Sequence, residues 1–255
     1  MHHLLVTNDD GIGSPGLLAL ADALSALGQV TVVAPDRERS AVSHAITLHK
    51  PLRLEPAAVP VEGVRAYLSN GTPADCVVLG KMELTPNHPD LVVAGINGGP
   101  NLGNDVTYSG TVAAAMEGAL IGAPAFALSV TGDHVRDFSF AARFARQLAE
   151  RVLARGLPAE VFLNVNIPDL PPEEITGVEL TRLARRRWDE RLVKRQDPRG
   201  RAYYWQAGEP DHDGCGPGTD VAAVLAGRIS ITPAHLDLTS HSALAQLAGL
   251  AADLW

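Results

Sequence analysis

Short runs that are apolar at nearly every position, each followed by a longer helical pattern, constrain this chain more than any other feature. "VTVVA" (Val30 to Ala34) and "DLVVAG" (Asp90 to Gly95) lack the regular alternation of a strand with one wet face. Such strands must be covered on both sides, and the helical patterns between them supply the cover. Strands are expected at His3 to Thr7, Gln29 to Pro35, Asp90 to Gly95, Pro124 to Val130 and Val161 to Pro168, with two weaker strand-like pieces before Thr72. Helices are expected at Leu17 to Leu27 behind a Ser14 cap and Pro15, from Thr72 and Pro73 to about Glu83, from near Ser109, and over Phe138 to Ala154. The expected fold class is α/β: a doubly wound, mostly parallel Rossmann-like sheet.

Residues 1–170 read as this core and 171–255 as an irregular C-terminal extension. The extension holds a proline-rich link, a basic run, "AYYWQAG" (Ala202 to Gly208), a Gly-rich turn at Gly214 to Gly218, a strand at Arg228 to Pro233 and an amphipathic helix from about Ser240. A tail of this kind packs on the sheet or on another subunit. Hydrophobic residues at 46% and charged residues at 20% exclude a disordered chain. A net charge of −8 gives no electrostatic case for a nucleic-acid polymer or an anionic membrane as partner. With Cys76 and Cys215 the only cysteines and no basic, apolar leader, the expected location is cytoplasmic. Val112 to Val130 is nearly long enough to cross a bilayer, but Glu117, Gly122 and Pro124 divide it into a buried helix and a buried strand.

The first strand runs into "TNDDGIGSPG" (Thr7 to Gly16). Gly11, Gly13 and Gly16 satisfy G-x-G-x-x-G between a strand and a helix, and Asp36 stands where a ribose-binding acid would, so an NAD-type oxidoreductase competes here. Against it, Asp9 and Asp10 would repel a pyrophosphate, and Pro15 occupies the turn. Read as a cation site, the glycines let the chain turn sharply so that both carboxylates face one ion, for which Mg²⁺ or Mn²⁺ suits oxygen ligands better than zinc. The bland alternative is that both aspartates only cap the turn. Their place after the first strand favours the site, because ligands collect at that edge of such sheets.

A second cluster, "GINGGPNLGNDVTYSGTVAAAMEG" (Gly95 to Gly118), interleaves Asn97, Asn101 and Asn104 with glycines across an expected 13-residue loop, before Ser109, Gly110 and Thr111 open a helix. Backbone N–H groups and two hydroxyls at a helix start form a natural phosphate seat. The alternative is a flexible loop with a serine cap. "DRERSAVSH" (Asp36 to His44) offers Ser40 and Ser43, neither in a G-x-S-x-G elbow, so serine nucleophile chemistry has little support. No H-E-x-x-H or C-x-x-C is present, which argues against zinc, and "DHDGC" (Asp211 to Cys215) reads as a turn. Nine of the 21 Lys and Arg residues lie between Arg182 and Arg201, as a guide for phosphorylated substrates, a solvated arm or a subunit contact.

"LLVTNDDGIGSPG" (Leu4 to Gly16), "VVAPDRERSAVSHAIT" (Val32 to Thr47), "GTPADCV" (Gly71 to Val77), "VAGINGGPNLGNDVTYSGTVAAAMEG" (Val93 to Gly118), "DPRGRAYYW" (Asp197 to Trp205) and "GTDVAAVLAGRISITPAHLDLT" (Gly218 to Thr239) together resemble the SurE family of survival-protein-E nucleotidases. The resemblance covers almost the whole chain. It implies a divalent-metal-dependent phosphomonoesterase of 5′-nucleotidase type, acting on nucleoside 5′- and 3′-monophosphates, with short polyphosphate a further substrate in some members. It also implies one metal ion per subunit held by Asp9, Asp10, Ser40 and Asn97, with Asp9, Asp10 and Asn97 catalytic. Phosphate is implied at Asn101 and at Ser109, Gly110 and Thr111. The resemblance further implies a homodimer or homotetramer that exchanges its C-terminal segment. A non-catalytic nucleotide sensor would keep the same binding loops.

Overall fold

The computed structural model describes residues 1–85, 88–132, 135–185, 187–189, 191–211 and 215–252. In chain order the elements are β1 (His2–Thr7), α1 (Pro15–Ser25), β2 (Gly28–Pro35), β3 (Leu54–Ala57), β4 (Arg65–Ser69), α2 (Pro73–Leu79), β5 (Leu91–Gly98), α3 (Gly110–Leu120), β6 (Ala125–Val130), α4 (Ser139–Arg155), β7 (Val161–Ile167), β8 (Gly177–Leu180), β9 (Arg187–Trp188), β10 (Arg191–Gln196), β11 (Ala202–Ala207), β12 (Pro210–Asp211), α5 (Asp220–Leu225), β13 (Arg228–His235) and α6 (His241–Ala252). Nine strands form one sheet in the order β3-β4-β2-β1-β5-β6-β7-β13-β8. It is parallel except where β3 meets β4 and β13 meets β7.

Both faces of the sheet are dry at its central strands, as their unalternating patterns require. Leu4, Val6 and Val32 bury on one face with Leu17, Leu20 and Leu24 of α1 and Ala145 and Ala149 of α4. Leu5 and Val33 bury on the other face with Val77 of α2 and Val112 and Ala115 of α3. Neighbouring residues of one strand therefore serve opposite cores, and each buried leucine contributes roughly 1.5–3 kcal/mol.

The expected strands and helices are present, with two adjustments. The helix after Thr72 stays α-helical only to Leu79 and continues as a π-turn over Gly80–Leu84. There the Thr85 hydroxyl donates to the carbonyl of Gly80 at 2.9 Å and satisfies the widened turn. Strand β5 runs on to Gly98, with a register shift against β6 between Ala94 and Asn97, and Gly103–Thr107 forms a 3₁₀ turn. The loop is thus shorter and more ordered than its glycine content suggested.

The C-terminal extension contributes β8 and β13 to the sheet itself, while β10 and β11 pair as a hairpin exposed at every position. Leu192, Tyr204 and Trp205 stand in solvent on this arm, and Leu244, Leu247 and Leu250 do so along α6. The Gly-rich turn and "DHDGC" fall partly outside the described residues, since 212–214 are not among them. No helix among the described residues is long and apolar enough to cross a membrane.

Candidate active site

The parallel strands β1, β2, β5, β6 and β7 end on one edge of the sheet. Chain connections leave β1 toward β2 on one side, while β5 lies on its other side, so the sequel of β1 sits at the switch in strand order. Crevices of this kind collect ligands because helices depart to opposite faces and leave a gap. Asp9 and Asp10 occupy it.

The turn after β1 is fixed locally. The Asn8 side chain donates to the carbonyl of Gly11 at 3.0 Å and accepts from the Gly11 N–H at 3.2 Å. Gly11 has φ of +99°, which glycine adopts without a Cβ penalty. The Asp9 side chain is buried and reaches the start of α3, where one carboxylate oxygen accepts the Thr111 hydroxyl and the other accepts the Thr111 N–H at 3.2 Å. Gly110 permits this approach: a Cβ there would lie 2.9 Å from the Cβ of Asp9. The expected phosphate seat at Thr111 is therefore engaged by an aspartate of the first loop. Ser109 caps α3 by accepting from the Val112 N–H at 3.1 Å, and its hydroxyl proton stays available to another acceptor.

The loop after β2 is tied to this turn through its backbone, with the Arg39 N–H donating to the carbonyl of Asp9 at 2.7 Å. Its Ser40 is exposed and donates to Glu38 at 2.5 Å. Three further bonds hold the loop: Ser43 donates to the Thr107 carbonyl at 2.6 Å, His44 meets Glu117 of α3 at 2.7 Å, and the Thr47 hydroxyl donates to Asp75 at 2.6 Å. Asp36, the candidate ribose acid, instead faces Arg39 at 3.2 Å.

Asn97 donates to the carbonyl of Gly99 at 2.9 Å, so its side-chain oxygen is the atom left to act as a ligand. Asn101 is gripped from the sheet. Its side chain donates to Ser129 at 2.8 Å, its N–H donates to Asn166 at 2.9 Å, and its carbonyl accepts from Asn164 at 2.8 Å and Asn166 at 3.0 Å. Asn101 and Thr111 are thus well anchored, whereas Ser40 and Asn97 bond within their own loops.

The charge balance favours a cation. Burial, partly offset by the bonds from Thr111, raises the pKa of Asp9. Asp10 is raised to about 6, first by the protein around it, then by the charges of Asp9 and Glu38. Among the described residues no group of three or more His, Cys, Asp or Glu could hold a metal. Two carboxylates, a hydroxyl and an amide oxygen are nevertheless the hard donors that suit Mg²⁺ or Mn²⁺. A divalent cation held by these residues would offset the repulsion that adds to burial in raising Asp10.

Sequence reasoning missed Glu38, Asn164 and Asn166. For the two asparagines a signal existed: in "VFLNVNIP" two amides stand two apart, hence on one face of an otherwise apolar strand.

The family model described as survival protein SurE matches residues 4–190. The 5′-nucleotidase SurE of Moorella thermoacetica is 54% identical over 99% of this chain and 97% of its own length. That of Geobacter sulfurreducens is 52% identical, covering 96% of this chain and 92% of the relative. The crystal structure of the Aquifex aeolicus SurE protein superposes with a TM-score of 0.85 at 44% identity, over 98% of this chain and 99% of that one. None of these similarities supports a dinucleotide-dependent oxidoreductase. With its sheet edge, paired aspartates and near full-length likeness to such proteins, the chain belongs to the SurE family.

Proposed function

We propose that this protein is a divalent-metal-dependent phosphomonoesterase that hydrolyses nucleoside 5′- and 3′-monophosphates to nucleoside and phosphate, with short polyphosphate as a further substrate. The observation that carries this reading is the carboxylate pair at the strand edge, with Asp9 lodged against the start of α3 through Thr111. Its relatives' name, 5′-nucleotidase SurE, supports the same class of reaction. Asp9, Asp10, Ser40 and Asn97 would hold one Mg²⁺ or Mn²⁺ per subunit. When bound, the ion supplies Lewis-acid polarisation of the phosphoryl group and acidifies water for attack.

The chain's own residues do the rest. Thr111 positions Asp9 and, with Ser109, Gly110 and Asn101, frames the place for the phosphate at the positive end of α3. Ser109 has a proton to donate to a phosphoryl oxygen, the kind of fixed donor that stabilises charge developing in the transition state. A carboxylate of the pair would act as the general base that takes a proton from the attacking water. The exposed apolar residues of the hairpin and α6 fit an extension exchanged within a dimer or tetramer, and a cytoplasmic location fits nucleoside monophosphates as substrates.

A phosphate-release screen over nucleotides and polyphosphate with Mg²⁺, Mn²⁺ or EDTA tests the reading. Release from nucleoside monophosphates that stops with EDTA and returns with metal is expected; turnover that survives EDTA would overturn the metal mechanism.

A further inference from the structure

One buried carboxylate outside the site is satisfied, among the described residues, by backbone N–H groups. Asp220, fully buried at the start of α5, accepts the N–H of Gly103 at 2.7 Å through one oxygen. Its other oxygen accepts the N–H groups of Ala184 and of Val221, each at 2.9 Å. These donors come from three places: the glycine-rich loop, the segment that leads into the hairpin arm, and α5 itself. A small separate core surrounds the junction, formed by buried Leu102, Ala184 and Val221 with Cys215 and Val224 packed against it. The backbone adds a second tie, since the Asp220 N–H donates to the carbonyl of Arg182 at 3.0 Å.

The loop is consequently held from two sides. Ser129, Asn164 and Asn166 grip Asn101 from the sheet, and Asp220 grips Gly103 from the extension, with Leu102 between them in the small core. A charged acceptor serving three N–H groups in a dry setting is strong, and costly to leave half-used. The first grip fixes Asn101 itself, and the second fixes the next two residues, where Gly103 at φ of +55° leads into the 3₁₀ turn.

We propose that Asp220 is a positioning residue for the phosphate site. It registers the loop bearing Asn101 against the C-terminal extension, and thereby makes phosphate affinity depend on how the extension sits. This rests on the phosphatase reading for the identity of the ligand, though not for the physical coupling. The carboxylate touches no substrate; it acts through Gly103 and Leu102.

The substitution Asp220→Asn separates the two roles of the group. With its oxygen kept toward Ala184 and Val221, the new amide would turn N–H against the Gly103 N–H and release the loop alone. Inorganic phosphate is the probe. Its inhibition constant is expected to rise about 10- to 100-fold, with kcat/KM for a nucleoside monophosphate falling in parallel, as for other supporting residues behind a site. Affinity for Mn²⁺ is expected to fall by less than phosphate affinity, because Asp9 and Asp10 are untouched while Asn97 bonds to Gly99 at the edge of the released segment. Amide hydrogen exchange should accelerate across residues 99–107 and remain unchanged across 8–12. Val221→Ala, which trims the small core without removing the charge, should shift phosphate affinity in the same direction by less, and serves if Asp220→Asn does not fold.

Unaltered phosphate affinity with faster exchange confined to α5 would make Asp220 a helix-start residue only and overturn the proposal. If wild-type protein releases no phosphate from any nucleotide, the phosphatase reading fails, while the coupling is still judged by phosphate binding and by exchange in 99–107.

Discussion

The strand-edge loops and the hairpin arm use their side chains in opposite ways. At the edge, polar residues are buried and bonded to one another across long sequence distances, as with Asp9 to Thr111 and Asn101 to Asn166. On the arm, apolar residues stand in solvent, with Trp205 at 63% and Leu192 at 68% exposure. At the edge, Asp9 and Asn101 are held by bonds to α3 and the sheet behind them. The arm has no core of its own, and a two-stranded hairpin is at best marginally stable alone. Precision is built where strands end, and apolar side chains are left in solvent where the chain leaves the sheet.

Substitution of the aspartates should break this contrast most severely. Asp9→Asn or Asp10→Asn is expected to abolish metal-dependent release of phosphate from nucleoside monophosphates, measured by a colorimetric phosphate assay. Two variants with wild-type turnover would show that the edge is not the site. Asp10→Asn carries a second signature in the metal-free protein. Because the folded pKa is raised to about 6 from an ordinary value of 3.8, the fold prefers the protonated form. The stability this gives is complete below the unfolded value and is lost as pH rises through about 6. Thermal melts without metal should thus show wild type losing stability between pH 4 and 6, with a shallower loss in Asp10→Asn.

Next in size is Thr111→Val, which removes the hydroxyl from Asp9 but keeps the shape. Metal affinity is expected to weaken about 10- to 100-fold, the usual cost of losing a group that orients a ligand, read by titration calorimetry with Mn²⁺. Replacing Arg191–Ala207 with a short Gly/Ser link should leave metal affinity unchanged and reduce the mass of the assembly seen by light scattering. If it instead destroyed metal binding, the edge would not be self-sufficient. The smallest effect belongs to Leu247→Gln on α6: a change of less than ~0.5 kcal/mol in the stability of the isolated subunit, since the residue is already half in water. A larger loss would mean that α6 packs on its own subunit.

What the sequence disclosed depends on how local each signal is. The sheet was legible because each strand and helix carries its own pattern, and Ser14, Thr72 and Ser109 cap the helices they precede. Asp9 and Asp10 stood out because strand β1 points at them. Thr111 was visible as a helix start, but its partner was not, since Asp9 lies 102 residues away. The grip of Asp220 on Gly103 spans 117 residues and leaves no periodic trace. Glu38 passed for an ordinary surface charge, and only its approach to the aspartates gives it weight.

The antiparallel return of β13 has a consequence for synthesis. Strand β7 lies between β6 and β13, and β8 pairs only with β13, from Arg228↔Gly177 to Ile231↔Leu180. The ribosome must therefore deliver most of the chain before the outer edge of β7 is covered and β8 has a neighbour. Until then the nascent core presents an apolar, unpaired edge, the kind that recruits other strands. A stop codon anywhere between β8 and β13 would make that edge permanent, so loss of the last fifth of this protein should yield aggregate rather than a smaller enzyme.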